Sequence, residues 1–134
     1  MIKFTTKEDF SRIKKLREEV FIKEQGFKNE FDDIDDIATH LCLKEDDKLI
    51  AYLRIYKQED KYFIGRVIVK REYRNKGYGK KILKEALKRL KGRKVINHSQ
   101  FDKREFYKKC GFIETNIIDY DESVKHVYLI REEI

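Results

Sequence analysis

The chain has 134 residues, of which 40% are hydrophobic and 43% charged, and its formal net charge at pH 7 is +7. This length predicts one domain spanning residues 1–134, because a single hydrophobic core is typical of chains of about 100–150 residues. No window approaches the roughly 20 apolar residues of a membrane-spanning helix, and Met1 to Phe4 lead into a polar segment, so we expect a cytoplasmic protein with no membrane partner.

The first elements are predicted by apolar spacing. Ile2 to Phe4 alternate as a short strand does, and Thr5-x-x-Glu8 or Thr6-x-x-Asp9 then offers a capping box for a helix. The apolar residues that follow recur every three or four positions, which predicts one buried helix face: Phe10, Ile13, Leu16, Val20 and Phe21. Residues 26–36 lose this period and gather acids, so we expect a loop or a short irregular turn over the mouth of an active site.

The middle and end of the chain predict a sheet interrupted by helices. Runs rich in Leu, Ile, Val and Tyr at 38–44, 48–56 and 62–70 predict an antiparallel meander. A helix with an apolar stripe follows and ends at Gly92, and a short strand comes next at 95–97. Residues 102–110 predict a helix, and 112–118 with 124–130 predict a hairpin. The strand-helix-strand unit from 62 to 97 requires a parallel pair, so the fold class is α/β with a mixed, mostly antiparallel sheet flanked by helices.

A glycine-bearing turn stands between the third strand of the meander and the long helix. Its spacing is Arg74-x-x-Gly77-x-Gly79, preceded by Val67, Ile68 and Val69. Glycines let the backbone approach a ligand closely, and a helix N-terminus attracts anions, so this turn predicts a pyrophosphate site. The spacing is neither the Walker pattern nor the dinucleotide pattern, which disfavours ATP and NAD.

Charge is distributed unevenly along the sequence. Residues 70–94 contain twelve Lys and Arg against two acids, whereas residues 30–47 contain eight acids against Lys44. The first segment favours a phosphate-bearing ligand and the second a cationic one, although solvated surfaces of ordinary proteins show similar enrichment.

The cysteines and acids do not predict a metal. Cys42 and Cys110 are far apart and lack metal-ligand spacing, which indicates free thiols in a reducing compartment. The acidic run lacks the central Gly and terminal Glu of a calcium loop. We therefore expect no metal cofactor.

Four segments and one further residue carry a resemblance to a known family. The turn resembles the acyl-CoA pyrophosphate loop of the GNAT family of N-acetyltransferases. A later segment of that family is similar to Gln100-x-x-x-x-x-Phe106-Tyr107-x-x-Cys110-Gly111-Phe112. The ElaA-like subgroup is similar in Arg17-x-x-Val20-Phe21-x-x-Glu24-Gln25, in Glu30-x-Asp32-x-x-Asp35-x-x-x-x-His40-Leu41 and in His126. The chain departs from the pattern at 101–104 and lacks the Pro often found after the Glu-Gln pair, which leaves the acceptor open.

The resemblance implies an enzyme that moves an acetyl group from acetyl-CoA to a primary amine by direct attack in a ternary complex. It implies a cleft between splayed central strands, in which backbone groups of Val67 and Val69 hold the pantetheine and an amide near Val69 polarises the thioester. The implied cofactor-binding residues are Val67, Ile68, Val69, Arg74, Asn75, Lys76, Gly77, Tyr78, Gly79, Lys80, Gln100 and Tyr107.

The chemistry needs an acid and a base. The family places a tyrosine near the thioester sulfur, so the resemblance implies that Tyr107 protonates the leaving thiolate, against the alternative of a core aromatic. Glu24 is the candidate base because it matches the Glu-Gln pair of the subgroup, although it could instead pair with Arg17. The residues competing for this role are Glu30, Asp32, Asp35, His40 and His98.

Other functions stay open at the level of sequence. A small-molecule or peptide amine is the expected acceptor, and homodimer formation is undecided. A module of the same fold could bind CoA without turnover. A basic nucleic-acid-binding protein is the less favoured alternative, because residues 70–94 lack an accompanying recognition motif.

Overall fold

A computed structural model describes residues 1–28 and 30–132, and the strands among them form one sheet in the order β1-β2-β3-β4-β5-β7-β6. The bounds of the strands are β1 Ile2–Thr5, β2 Thr39–Glu45, β3 Lys48–Gln58, β4 Lys61–Val69, β5 Val95–Gln100, β6 Ile113–Asp121 and β7 Val124–Arg131. All neighbours pair antiparallel except β4 and β5, which pair parallel. The predicted fold class is confirmed.

The helices are α1 Phe10–Arg17, α2 Tyr78–Arg89 and α3 Arg104–Lys108, with a π-helical segment Glu18–Glu24 directly after α1. Shorter 3₁₀ turns occupy Asp33–Asp36, Arg71–Tyr73 and Phe101–Lys103. The predicted capping boxes at Thr5 and Thr6 are wrong. Asp9 caps α1, because its carboxylate accepts a hydrogen bond from the Ser11 amide at 3.0 Å.

The segment predicted as an irregular loop, residues 26–36, contains the 3₁₀ turn, and its residue Asn29 lies outside the described residues. The helix predicted over 102–110 is divided between a 3₁₀ turn and α3. The last hairpin is longer than predicted, since β6 continues to Asp121.

Helices cover both faces of the sheet. The buried face of α2 packs on one side, where Ile82, Leu83 and Ala86 join the strand residues Leu41 and Leu53. On the other side, α1 and the π-helical segment contribute Ile13, Leu16, Val20 and Phe21, which pack against Cys42 and Tyr52. The predicted apolar stripe therefore forms this second core, except that Phe10 remains exposed.

The parallel pair β4–β5 is short. Its register joins Tyr62–Ile64 to Val95–Asn97, and among the described residues no later pair follows although both strands continue. A β-bulge in β4 coincides with the parting. The register with β3 shifts between Tyr52 and Arg54, and Arg66 has a φ of 54°, in the left-handed region. The bulge bends β4 and leaves a cleft between the two strands.

A buried network of arginines and acids lies beside this bulge. Arg17 is fully buried and donates from Nε to Glu30 Oε1 at 2.8 Å and from an η nitrogen to Asp35 Oδ1 at 2.7 Å. Arg66 donates from Nε to the same Glu30 oxygen at 3.1 Å. Arg54 donates to Asp32 and Asp35 at 2.7 and 3.0 Å.

These contacts change the role assigned to the acidic segment. The carboxylates of Glu30, Asp32 and Asp35 are paired with arginines of this chain, so they hold residues 30–36 against the sheet rather than offering free charge to a cationic ligand. Burial raises the pKa of Glu30, against the attraction of Arg66 and Arg17. Glu30 thus depends on both arginines to stay ionised.

Two further predictions concerned the cysteines and membrane-spanning helices. Cys42 is a buried free thiol and Cys110 a half-buried one, as the sequence predicted. Among the described helices, none has the length and apolar character needed to cross a bilayer.

We expect Arg17→Met to destabilise the protein strongly. The substitution keeps much of the side-chain volume but leaves Glu30 and Asp35 without their buried partner, which typically costs about 3–5 kcal/mol. Arg12→Met is the matched control, because its partly exposed ion pairs contribute about 1 kcal/mol or less. Urea unfolding measures both. Equal losses in the two variants would contradict a structural role for the network.

Candidate functional site

The predicted pyrophosphate turn connects β4 to α2. Asn75 and Gly77 have positive φ angles of 63° and 84°, and α2 begins at Tyr78. Within the described chain, no side chain caps this helix start, and its first turn carries Lys80 rather than an acid. The first amide N–H groups of a 12-residue helix are therefore available to an anion.

The two glycines of the turn serve different purposes. At Gly77 an added Cβ would have no described atom within 4 Å, so this position requires glycine for its φ and lies open to a ligand. At Gly79 a Cβ would lie 3.3 Å from Phe106 and 3.5 Å from Val69. Gly79 therefore lets the helix start pack against α3 and β4, whereas the sequence had assigned it to close ligand approach.

A cleft of about 530 Å³ extends from this turn along the parted strand β4 to α3. Of the residues predicted to bind the cofactor, all but Lys76 and Gln100 line it. The lining residues are Val67, Ile68, Val69, Tyr73, Arg74, Asn75, Gly77, Tyr78, Gly79, Lys80, Asp102, Lys103, Phe106 and Tyr107. The side chain of Lys76 lies over the ring of Tyr73 instead.

Arg74 links three parts of this region. Its Nε donates to the carbonyl of Val69 at 2.9 Å, and its two terminal nitrogens donate to the two carboxylate oxygens of Glu24 at 2.8 and 3.0 Å. The alternative pairing of Glu24 with Arg17 is wrong, since Arg17 binds Glu30 and Asp35. The hydrogen bonds from Arg74 lower the pKa of Glu24, against a smaller effect of burial, so its carboxylate is a weak base.

A second, smaller cavity of about 60 Å³ lies on the β5 side of the cleft, and Val67, Lys103 and Tyr107 line both spaces. Gln100 lines this cavity and donates to the side chain of Gln25 at 2.6 Å. Glu30 is also part of its wall. The two spaces therefore meet where β4 and β5 part.

Tyr107 stands at this junction. Its ring is 8% exposed and packs edge-on against Phe106 and Phe112. Burial raises the pKa of its hydroxyl, against the effect of the Asn97 side chain. The hydroxyl consequently keeps its proton throughout the physiological range, and the residue is a core aromatic whose side chain lines two cavities.

The candidate bases differ in whether they line one of the two cavities. Asp32 and Asp35 are bound by arginines, and His40 contacts the Tyr52 hydroxyl at 2.6 Å and the carbonyl of Asp35 at 3.0 Å. Glu24 lines neither cavity in the described chain. Glu30 and His98 line the smaller cavity.

Several residues of the site were not found from sequence. Asn97 donates to the carbonyl of Ile64 at 2.8 Å, at the last pair before the strands part. Lys103 lines both spaces, within a segment that departs from the family pattern. Asp119 contacts His98, one of the candidate bases, at 2.6 Å. None of these has a spacing signal, because Asn97 and Asp119 acquire their positions through the sheet and Lys103 through the turn that follows β5.

The mixed seven-stranded sheet flanked by helices is the fold of the acyltransferases that use acyl-CoA. The sequence matches the Acetyltransferase (GNAT) family over residues 7–112. The chain therefore belongs to this family, as its motifs predicted.

Individual relatives support the assignment. A UPF0039 protein of Schizosaccharomyces pombe is 32% identical over 84% of this chain and 80% of its own length. Protein ElaA of Escherichia coli is 30% identical over 89% of this chain and 84% of its own. The crystal structure of Escherichia coli ElaA superposes with a TM-score of 0.85 and 26% identity, and covers 98% of this chain and 100% of that one.

A more distant structure shares the fold. The PaiA N-acetyltransferase of Thermoplasma acidophilum, solved in complex with coenzyme A, has a TM-score of 0.69 at 20% identity, with 96% of this chain and 98% of that chain covered.

Proposed function

We propose that the protein transfers an acetyl group from acetyl-CoA to a primary amine of a small molecule or peptide. The observation that carries this proposal is a single cleft that connects the start of α2 to Tyr107. A pyrophosphate suits the first end, because amide N–H groups and Lys80 supply positive charge there. A thioester suits the second end, where a proton donor is available.

The pantetheine arm would lie along β4. Beyond Ile64 the described residues of β4 have no parallel partner in β5, so an extended ligand can take the hydrogen bonds that the neighbouring strand would otherwise make. In this proposal the backbone groups of Val67 and Val69 make these hydrogen bonds to the pantetheine arm. An amide near Val69 would also stabilise negative charge on the thioester oxygen during attack.

The acceptor would enter from the smaller cavity, on the opposite side of the junction. Its neutral nitrogen forms a bond to the thioester carbon, and the carbon–sulfur bond breaks as the tetrahedral intermediate collapses. The sulfur takes a proton from Tyr107, and the nitrogen loses one to a base or to water. Burial raises the basicity of the thiolate, which favours this proton transfer, and it also raises the pKa of the Tyr107 hydroxyl, which opposes it.

Glu24 remains a prediction for the base. Its ion pair with Arg74 keeps the carboxylate ionised at neutral pH, and a low pKa limits its strength. The same pair also joins the end of the π-helical segment to the pyrophosphate turn, so a positioning effect of Glu24 on the cofactor loop is expected beside any role in proton transfer.

We expect acetyl-CoA to raise the melting temperature of the protein, whereas ATP and NAD do not. Only acetyl-CoA combines a pyrophosphate with an extended arm that matches the open edge of β4. Differential scanning fluorimetry with equal ligand concentrations measures the shifts. Equal stabilisation by all three compounds would contradict the cofactor assignment.

We expect Gly77→Val to weaken CoA binding by at least about tenfold, since a branched side chain would fill the open approach to the helix start and strain the turn. Gly26→Val is the matched control, because Gly26 also has a positive φ, 78°, and no described atom would lie within 4 Å of a Cβ added there. Isothermal titration calorimetry compares the two. Equal weakening would mean that strain alone, rather than the location of Gly77, affects binding.

We expect Tyr107→Phe to lower kcat by about 10 to 10³-fold with little change in CoA affinity, because the ring remains and the proton donor is lost. Tyr120→Phe, at an exposed position, is the control for loss of a hydroxyl. Thiol release from acetyl-CoA, first screened across amines and peptides, supplies the assay. Full kcat in Tyr107→Phe would contradict the acid role, and absence of turnover with every amine in the wild-type protein would favour the non-catalytic CoA-binding module.

A further inference from the structure

Three strands bring two imidazoles and a carboxylate to one face of the sheet. His126 of β7 is the register partner of Gln100 in β5 and of Asp119 in β6. His98 lies two residues before Gln100, so its side chain points to the same face as that of Gln100. Direct cross-strand neighbours have Cβ atoms about 4.5–5.5 Å apart, which explains how these three side chains converge.

The potential ligand atoms of His98, Asp119 and His126 all lie within 4.8 Å of one another. Tetrahedral ligands of a Zn²⁺ ion, bound at about 2.0–2.1 Å, lie roughly 3.4 Å apart. His98 Nε2 and Asp119 Oδ1 are nearer than this, at 2.6 Å, because they share a hydrogen bond. A modest rotation of the side chains, with loss of the shared proton, would bring the three ligand atoms to the spacing of a metal site.

The orientation of His126 supports a ligand role. Its Nδ1 donates to the carbonyl of Val124 at 2.9 Å, which leaves the lone pair of a neutral ring on Nε2. A backbone carbonyl that holds the second ring nitrogen in this way is the usual support for a metal-binding histidine. The ring of His98 is held too, since it stacks on Tyr128 with a centroid distance of 4.5 Å.

We propose that His98, Asp119 and His126 bind one divalent transition-metal ion of the zinc class. Two imidazoles and one carboxylate suit such an ion, whereas Mg²⁺ and Ca²⁺ prefer oxygen ligands alone. Three protein ligands leave the fourth position open. His98, His126 and Tyr107 all line the smaller cavity, so a bound ion would lie beside that space, and partly exposed side chains of His98 and Asp119 give the ion a path of entry.

The site differs from anything the cysteines or the acidic run suggested. Its ligands come from three strands and share no sequence motif, which is why the sequence predicted no metal. The inference stands on the geometry of the three side chains and does not depend on acetyl transfer.

The test is a calorimetric titration of chelator-treated protein with Zn²⁺, repeated with Mg²⁺. We expect one Zn²⁺ per chain and no Mg²⁺ binding. His126→Ala and Asp119→Asn should each weaken Zn²⁺ binding by at least about tenfold, since even residues that only support a metal ligand affect affinity by about 10–100-fold. His40→Gln and Asp60→Asn, which remove an imidazole and a carboxylate elsewhere, should leave it unchanged.

Thermal unfolding provides a second measurement that needs no activity. Zn²⁺ should raise the melting temperature of the wild-type protein and of both control variants, but not that of folded His126→Ala or Asp119→Asn. Co²⁺ should give the visible absorption of a four-coordinate site in the wild-type protein and not in either of these two site variants. Absence of Zn²⁺ binding, or equal affinity in wild type and His126→Ala, would overturn the proposal and leave a hydrogen-bonded His98–Asp119 pair.

Discussion

One carboxylate joins the elements that shape the cleft. Glu30 Oε1 accepts hydrogen bonds from Arg17, at the end of α1, and from Arg66, at the bulge of β4. Arg66 has a backbone conformation that is unfavourable for a non-glycine residue, so the contacts of its side chain offset a local strain. Because the bulge coincides with the point where β4 leaves β5, the opening between the strands depends on a buried ion network as much as on the sheet itself.

This arrangement explains why the candidate site lies where two kinds of surface meet. On one side, backbone groups and the start of α2 offer donors to an extended anionic ligand. On the other, side chains of β5 and β7 surround a small polar cavity. Tyr107 reaches both, and its buried hydroxyl keeps its proton. The proposed reaction between two substrates would use such a junction, because each substrate would then arrive by its own path.

Local patterns in the sequence predicted much of the fold. The spacing of Ile82, Leu83 and Ala86 located α2, and the glycine turn located the start of that helix. Local patterns could not predict the π-helical segment after Arg17, since its apolar residues keep a spacing compatible with an α-helix. The same holds for the ion pair between Glu24 and Arg74, which are 50 residues apart in sequence. Contacts at that separation depend on the whole fold, and so does the convergence of His98 with Asp119.

The central claim is that acyl-CoA lies between β4 and the start of α2. Backbone amide chemical shifts, measured by ¹H–¹⁵N NMR during titration with CoA, test it most directly because they report on each residue. The account predicts the largest shifts at Val67–Val69 and at residues 75–80. Shifts confined to the basic residues 84–94, with residues 67–69 unaffected, would show that CoA binds by charge on the surface of α2 and would contradict the account.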